Sequence, residues 1–432
     1  MAATPTPAPA FAFEEATYRK VTWRLLPLLI LCYLVAYLDR VNIGFARLQM
    51  MDDLGFSETV YGLGAGIFFI GYFLFEVPSN IILHRVGARL WIGRIMITWG
   101  LVSGAFVFVK TPWMFYTLRF LLGLAEAGFY PGIILYLTYW YPSGRRARMT
   151  SLFMTAIPIS GIFGGPLSGW IMQSFAGTRG WDGWQWLFVI EAIPSILLGV
   201  VVMLYLDNGI RAARWLTDAE KTLLERHVDA EAAALPAHGS IRAVFADRRV
   251  WWMCLIYFAC AVGQYGLTFW MPVLIQTAGV SGVLEIGVLT AVPYAAGGIA
   301  MLVLGRRADR HRTRRAHEAF ALVLGAVGLS ASALAGTHTT LAIACLTIAA
   351  AGILSAAPLF WSLPTAIFSG AAAAAGIATI NSVANLGGFI SPTVVGSLRD
   401  LTGSTEAGMF AVSATLVVGA IVALRMPRGV DR

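Results

Sequence analysis

Apolar stretches long enough to cross a lipid bilayer, about 18 residues or more, recur along the whole chain and leave little else. Twelve can be placed, near residues 23–46, 58–83, 89–109, 113–140, 148–172, 184–206, 251–276, 283–305, 317–336, 339–369, 373–398 and 405–425. Of the 432 residues, 58% are hydrophobic and only 12% charged, where a soluble domain carries about 25% charged residues. Mean hydropathy is +0.72. A membrane barrel would show alternating segments of about ten residues, a pattern absent here. The expected fold class is therefore an all-α membrane protein of twelve transmembrane helices.

The only long polar stretch, 207–250, divides the twelve into six and six. It is expected to be a cytoplasmic linker with an amphipathic helix, opened by the capping-box pattern Thr217-Asp218-Ala219-Glu220. The halves then run over 23–206 and 251–425, between a disordered tail at 1–22 and a short tail at 426–432. The Ala/Pro/Thr-rich start lacks a basic region before an apolar core, so it does not read as a cleaved signal peptide. With both termini cytoplasmic, the loops near 85–94, 145–148 and 306–315 place twelve arginines inside. Only Arg47, Lys110, Arg179 and Arg399 fall outside, a positive-inside bias. The net charge of +8 thus orients the protein in the bilayer, and no nucleic-acid partner is expected. Cys32, Cys254, Cys260 and Cys345 lie within apolar runs without metal-ligand spacing, so they read as small buried hydrophobes outside any disulfide framework. No nucleophile–base set, metal cluster or phosphate-binding loop is readable; neither enzyme nor cofactor is expected.

The informative residues are the charges that lipid should exclude. A charged group at the bilayer centre costs about 2.5–3.5 kcal/mol on insertion scales, so such groups usually face a bundle interior or a wet cavity. Tyr37-Leu38-Asp39-Arg40 lies in span one and Arg119-x-x-x-Gly123-x-x-Glu126 in span four. Arg119 and Glu126 share a helix face about 10 Å apart. Asp39 and Arg40, neighbours on a helix, point about 100° apart; one is expected to face span four and the other the cavity. Protonating Asp39 and Glu126 would free the two arginines for a carboxylate, so the expected activity is proton-coupled uptake of an organic anion. A structural network joining spans one and four is the bland alternative for Arg119 and Glu126.

Other polar residues fall at similar depth. Tyr37 and Tyr72 offer hydroxyls that donate or accept. Gln264-Tyr265 lies between Gly263 and Gly266, which suggests a broken helix at a binding site. Asn381 and Asn385 share a face four residues apart. Glu76 is expected near the loop after span two and Glu191 in a structural role. The glycines of span five (Gly161, Gly164, Gly165 and Gly169, with Pro166) suggest a close-packed rocking seam.

Two loops echo each other between the halves: Asn80-Ile-Ile-Leu-His84-Arg85-Val-Gly87-Ala-Arg89 and Gly305-Arg-Arg-Ala-Asp309-Arg310-His-Arg-Thr-Arg314. With the twelve spans, they resemble the major facilitator superfamily, although Asn80 and His84 replace that pattern's usual glycine and aspartate. Tyr37-Leu-Asp-Arg-Val-Asn-Ile-Gly44, Gly71-Tyr-Phe-Leu-Phe-Glu-Val-Pro-Ser-Asn80, Arg119-Phe-Leu-Leu-Gly-Leu-Ala-Glu126 and Trp186-Leu-Phe-Val-Ile-Glu-Ala-Ile-Pro194 resemble its anion:cation symporter family. That family includes bacterial carriers of tartrate, sugar acids, phthalate and hydroxyphenylacetate. The resemblance implies alternating access by two six-helix halves. It implies a latch at Arg85, Arg89, Asp309 and Arg310, beside the proton coupling expected from the charges at Asp39 and Glu126. Substrate contacts would come from Tyr37, Arg40, Tyr72, Arg119, Gln264, Trp361 and Asn381. Ile157 and Pro158, where sugar-acid carriers tend to be polar, favour a smaller or more apolar acid. The expected setting is a bacterial-type inner membrane, as a monomer. An exchanger or exporter of the same fold is the alternative, and a ligand-sensing receptor a weaker one.

Overall fold

The computed structural model describes residues 9–234, 247–311, 313–361, 363 and 370–427. Among these there is no strand. The first half of the chain forms α1 (Pro9–Leu54), α2 (Glu58–Val86), α3 (Ala88–Gly104), α4 (Pro112–Glu126), α5 (Phe129–Thr138), α6 (Ser143–Met154), α7 (Ala156–Ser174) and α8 (Gly183–Tyr205). After the linker helix α9 (Asp218–Ala234) come α10 (Arg248–Thr277), α11 (Val283–His311), α12 (Arg314–Leu334), α13 (Thr339–Trp361), α14 (Gly370–Thr402) and α15 (Glu406–Arg425). Spans four and five are each built from two helices, α4–α5 and α6–α7. Eleven spans among the described residues are long and apolar enough to cross a membrane, and α14 supplies the twelfth.

Local chemistry sets the element ends. Ser57 caps α2 by accepting from Val60 N at 3.3 Å. Thr111 caps α4 by accepting from Met114 N at 3.3 Å, with Pro112 in the first turn, where no amide partner is lost. Span four breaks after Glu126 because Gly128 takes φ = 87°, a left-handed conformation that glycine adopts without a Cβ penalty. The capping box expected at Thr217 is formed: Glu220 N donates to Thr217 Oγ1 at 3.3 Å, and Thr217 N to Glu220 Oε2 at 2.8 Å.

The tail expected to be disordered through residue 22 is helical from Pro9. Its partner is the linker. Tyr18 stacks on His227 and Tyr141, and the Lys20 ammonium donates to both Glu220 oxygens at 2.9 and 3.0 Å. The Ala371–Ala375 run belongs to α14; span ten is a helix to Trp361, and the rest of its expected stretch to 369 lies, but for Leu363, outside the described residues.

Two seams bring helices from either side of the linker together. A Cβ on Gly165 of α7 would lie 2.5 Å from Gly287 O of α11, and one on Gly62 of α2 would lie 2.3 Å from Pro392 O of α14. Both seams pack backbone on backbone, so the glycines are required by approach distance. The span-five glycine pattern read from the sequence thus does form a close-packed seam.

Candidate functional site

Span one carries its two charges to different places. Arg40 reaches across to α4 and forms an ion pair with Glu126, where the side chains are only 11% and 4% exposed. Its guanidinium also donates to Tyr265 Oη at 3.5 Å and lies over the rings of Phe68 and Tyr72, 5.5 and 5.8 Å from their centroids. Asp39 turns away from this group. Its carboxylate accepts from Trp99 Nε1 at 2.9 Å, Ser103 Oγ at 3.1 Å and Ser195 Oγ at 2.6 Å. The expectation that one of the two faces span four is met by Arg40. Asp39 instead faces spans three and six, which supply its three donors.

Arg40 opens onto a cavity of about 120 Å³ between the two sides of the bundle. Tyr37, Tyr72, Gln264 and Asn381 line it, as expected from the sequence. Gln264 Nε2 donates to Tyr37 Oη at 2.8 Å. The helix around Gln264 is not broken: α10 runs uninterrupted, and Gly263 and Gly266 admit Leu416 and Val412 of α15. Asn381 and Asn385 donate to the two oxygens of Glu76 at 2.9 and 3.2 Å. Glu76, expected near the loop, thus joins α2 to α14 at the cavity wall.

Two expected contacts lie elsewhere. Arg119 does not line the cavity. It is 1% exposed and donates to the carbonyls of Gly64 (3.1 Å) and Ala65 (3.0 Å) in α2, so its charge is used to tie α4 to α2. Trp361 also stands behind the wall, edge-on to Tyr257 at 4.9 Å; the tyrosine is the lining residue. Tyr33, Tyr130 and Tyr257 in the lining have no distinguishing signal in the sequence, since aromatic residues in spans are usually packing. Cys260 is buried as expected, yet it also lines the cavity and donates to Glu318 at 3.2 Å. Glu191 accepts from Ser168 at 2.9 Å, in keeping with a structural role.

The cavity continues past Met154 and Ile157 to Gly305 and Arg306 on the face that carries both described ends of the chain. The opposite face is closed. There Arg47 pairs with Glu58, and Arg399 Nε lies 3.3 Å from the same carboxylate. The Asp400 carboxylate accepts from the Glu58 and Thr59 amides at 3.1 and 2.7 Å. Tyr61 Oη donates to Phe269 O at 3.0 Å, and Trp270 is buried beneath both arginines. Among the described latch residues, none bonds across the terminal face. Arg89 binds Met203 O and, through its amide, Asn208 Oδ1 of its own half. Arg85 and Arg310 are exposed, and the Asp309 side chain lies outside the described residues. At the other end, Arg399 and Asp400 bond across the two sides to Glu58 and Thr59.

The sequence pattern of the Major Facilitator Superfamily matches residues 29–392. The chain belongs to the major facilitator superfamily. Major facilitator proteins are transporters, not enzymes. Among its relatives are a protein of Agrobacterium vitis named "Putative tartrate transporter", 50% identical over 96% of this chain and 95% of that one, and one of Pseudomonas putida named "Putative metabolite transport protein NicT". The latter is 47% identical over the same shares. The crystal structure of a D-xylose-proton symporter superposes with a TM-score of 0.75 at 15% identity, covering 95% of this chain and 99% of that one; that likeness concerns the fold.

Proposed function

We propose that this major facilitator protein takes up a small organic anion together with protons. The observation that carries the reading is an arginine in the cavity lining, Arg40, paired with a carboxylate, Glu126, that a proton can discharge. When Glu126 is protonated, the guanidinium is released to a substrate carboxylate, a bidentate match for its planar fork. Tyr37, Tyr72, Gln264 and Asn381 supply hydroxyl and amide partners for the rest of the solute. Asp39 is the second proton site. A proton there forces Ser103 or Ser195 to reverse its donation, which links protonation to the packing of spans three and six. Arg119 holds α4 in place for Glu126.

The relative named for tartrate supports a hydroxy-diacid as substrate. The tyrosine-rich wall and the apolar Ile157 in the lining also suit an aromatic acid. The six-helix halves, 23–206 and 251–425, rock about the cavity, in a monomer of a bacterial inner membrane with both termini in the cytoplasm. The test is uptake of labelled tartrate and of an aromatic acid into proteoliposomes. An inwardly directed proton gradient should accelerate uptake of at least one. Uptake indifferent to the gradient overturns proton coupling, and failure of counterflow for every acid overturns the carrier reading. Counterflow that persists without gradient response assigns the chain to exchange.

A further inference from the structure

A second polar cavity lies far from the solute pathway, on the terminal face, where α1, α3, α8 and the linker meet. It holds about 690 Å³ and brings together Arg24, Arg89 and Arg214 with a single acid, Asp207, among the described residues. Asp207 is engaged by Trp215, whose Nε1 donates to its carboxylate at 2.8 Å. None of the three arginines has a carboxylate within ion-pair distance among the described residues.

Arg24 is the telling one. Its guanidinium lies flat on the Tyr205 ring, 3.6 Å from the centroid, with Trp215 on another side at 5.9 Å. Trp215 is in turn stacked on the buried Trp140. The Nε of Arg24 is buried without a hydrogen-bond partner. A guanidinium held by aromatic faces and not neutralised presents its remaining N–H groups edge-on, the geometry that receives a phosphate oxygen pair.

The cavity's edge identifies the source of that phosphate. Leu204 lines it and is 75% exposed. It ends a stripe on α8, after Ile193, Leu197 and Val200, all exposed and spaced as one helix face. Trp23, beside Arg24, is also 75% exposed, an aromatic side chain of the kind found at headgroup level. An occupant that reaches the arginines can therefore lay an acyl chain along this stripe, which a free phosphate cannot do.

We propose that the pocket of Arg24, Arg89 and Arg214 binds the phosphodiester headgroup of an anionic phospholipid. Bound there, the lipid bridges the linker to the start of spans one and three. This site is independent of the solute cavity and of the transport proposal. The test is thermal unfolding of the purified full chain in neutral detergent with phosphatidylglycerol, with phosphatidylcholine of the same acyl chains, or with inorganic phosphate. Phosphatidylglycerol should raise the midpoint while the other two leave it unchanged. R24Q and R214Q should each weaken the apparent lipid affinity at least ten-fold; Arg214 is exposed, so R214Q keeps the test usable if R24Q does not fold. Equal shifts with the two lipids, or an unaltered phosphatidylglycerol response in R214Q and in a folded R24Q, would overturn the proposal. A full response to inorganic phosphate would overturn the lipid as occupant.

Discussion

Adjacent in the chain, Asp39 and Arg40 belong to different environments, one caged by Trp99, Ser103 and Ser195 and the other facing the cavity. That both are functional candidates was legible from their charge in an apolar run. Which way each points was not, because two directions 100° apart are equivalent until the neighbouring helices are placed. Arg119 shows the complementary limit. A buried guanidinium reads alike whether it binds an anion or carbonyls, though the Gly62-Leu63-Gly64-Ala65-Gly66 run in span two, with few side chains to cover the backbone, was a usable signal. On the proposed mechanism R40Q loses a charge-assisted contact and should weaken solute binding by about 2–3 kcal/mol, or 30- to 150-fold, as read by calorimetry. E126Q should still bind and exchange solute but lose its response to a pH gradient. The double variant R40Q/E126Q should recover the thermal stability that R40Q loses by leaving Glu126 buried and unpaired, without recovering binding.

At the scale of elements, the linker helix was readable through its capping box, whereas its docking was not. Nothing in residues 9–22 announces that Tyr18 and Lys20 meet α9, because the partners lie about 200 residues away. Burial raises the Glu220 carboxyl, but bonds from Lys20 and Thr217 more than offset it and hold it below the usual carboxylate range. A depressed folded value stabilises docking above the unfolded carboxyl value of 4.5, and that stabilisation is lost as pH falls through the folded value. E220Q should cost about 1 kcal/mol at neutral pH and abolish the acid dependence, measured by hydrogen exchange of α9. The Glu76–Asn381–Asn385 clamp was equally invisible, since its members stand 305 and 309 residues apart. N381A should speed exchange between the two openings, read by single-molecule distances between α2 and α14.

For the whole molecule, twelve spans and the superfamily were legible because hydrophobic period and loop motifs are local properties. The state was not, because the two openings share one sequence and differ only in which ends touch. Expected at the motif loops, a closing group of bonds lies instead at the far face, where Arg399 and Asp400 join the Arg47–Glu58 pair. Breaking that group should shift the balance toward the alternate opening by about 1–2 kcal/mol, a factor of 5–30. In a variant whose only cysteine is Cys260, R399Q should let an impermeant maleimide label the cavity from the face opposite the termini. Unchanged labelling would show that the seams alone hold that end shut.

Those seams have a consequence for permeability. Where Gly62 meets Pro392 and Gly165 meets Gly287, an added Cβ would lie 2.3 and 2.5 Å from a backbone oxygen, so the two backbones touch and leave no file of water molecules between them. At these seams, backbone contact itself stands in the way of proton leak. A single added carbon, as in G62A, should open a conductance that collapses an imposed gradient even without solute.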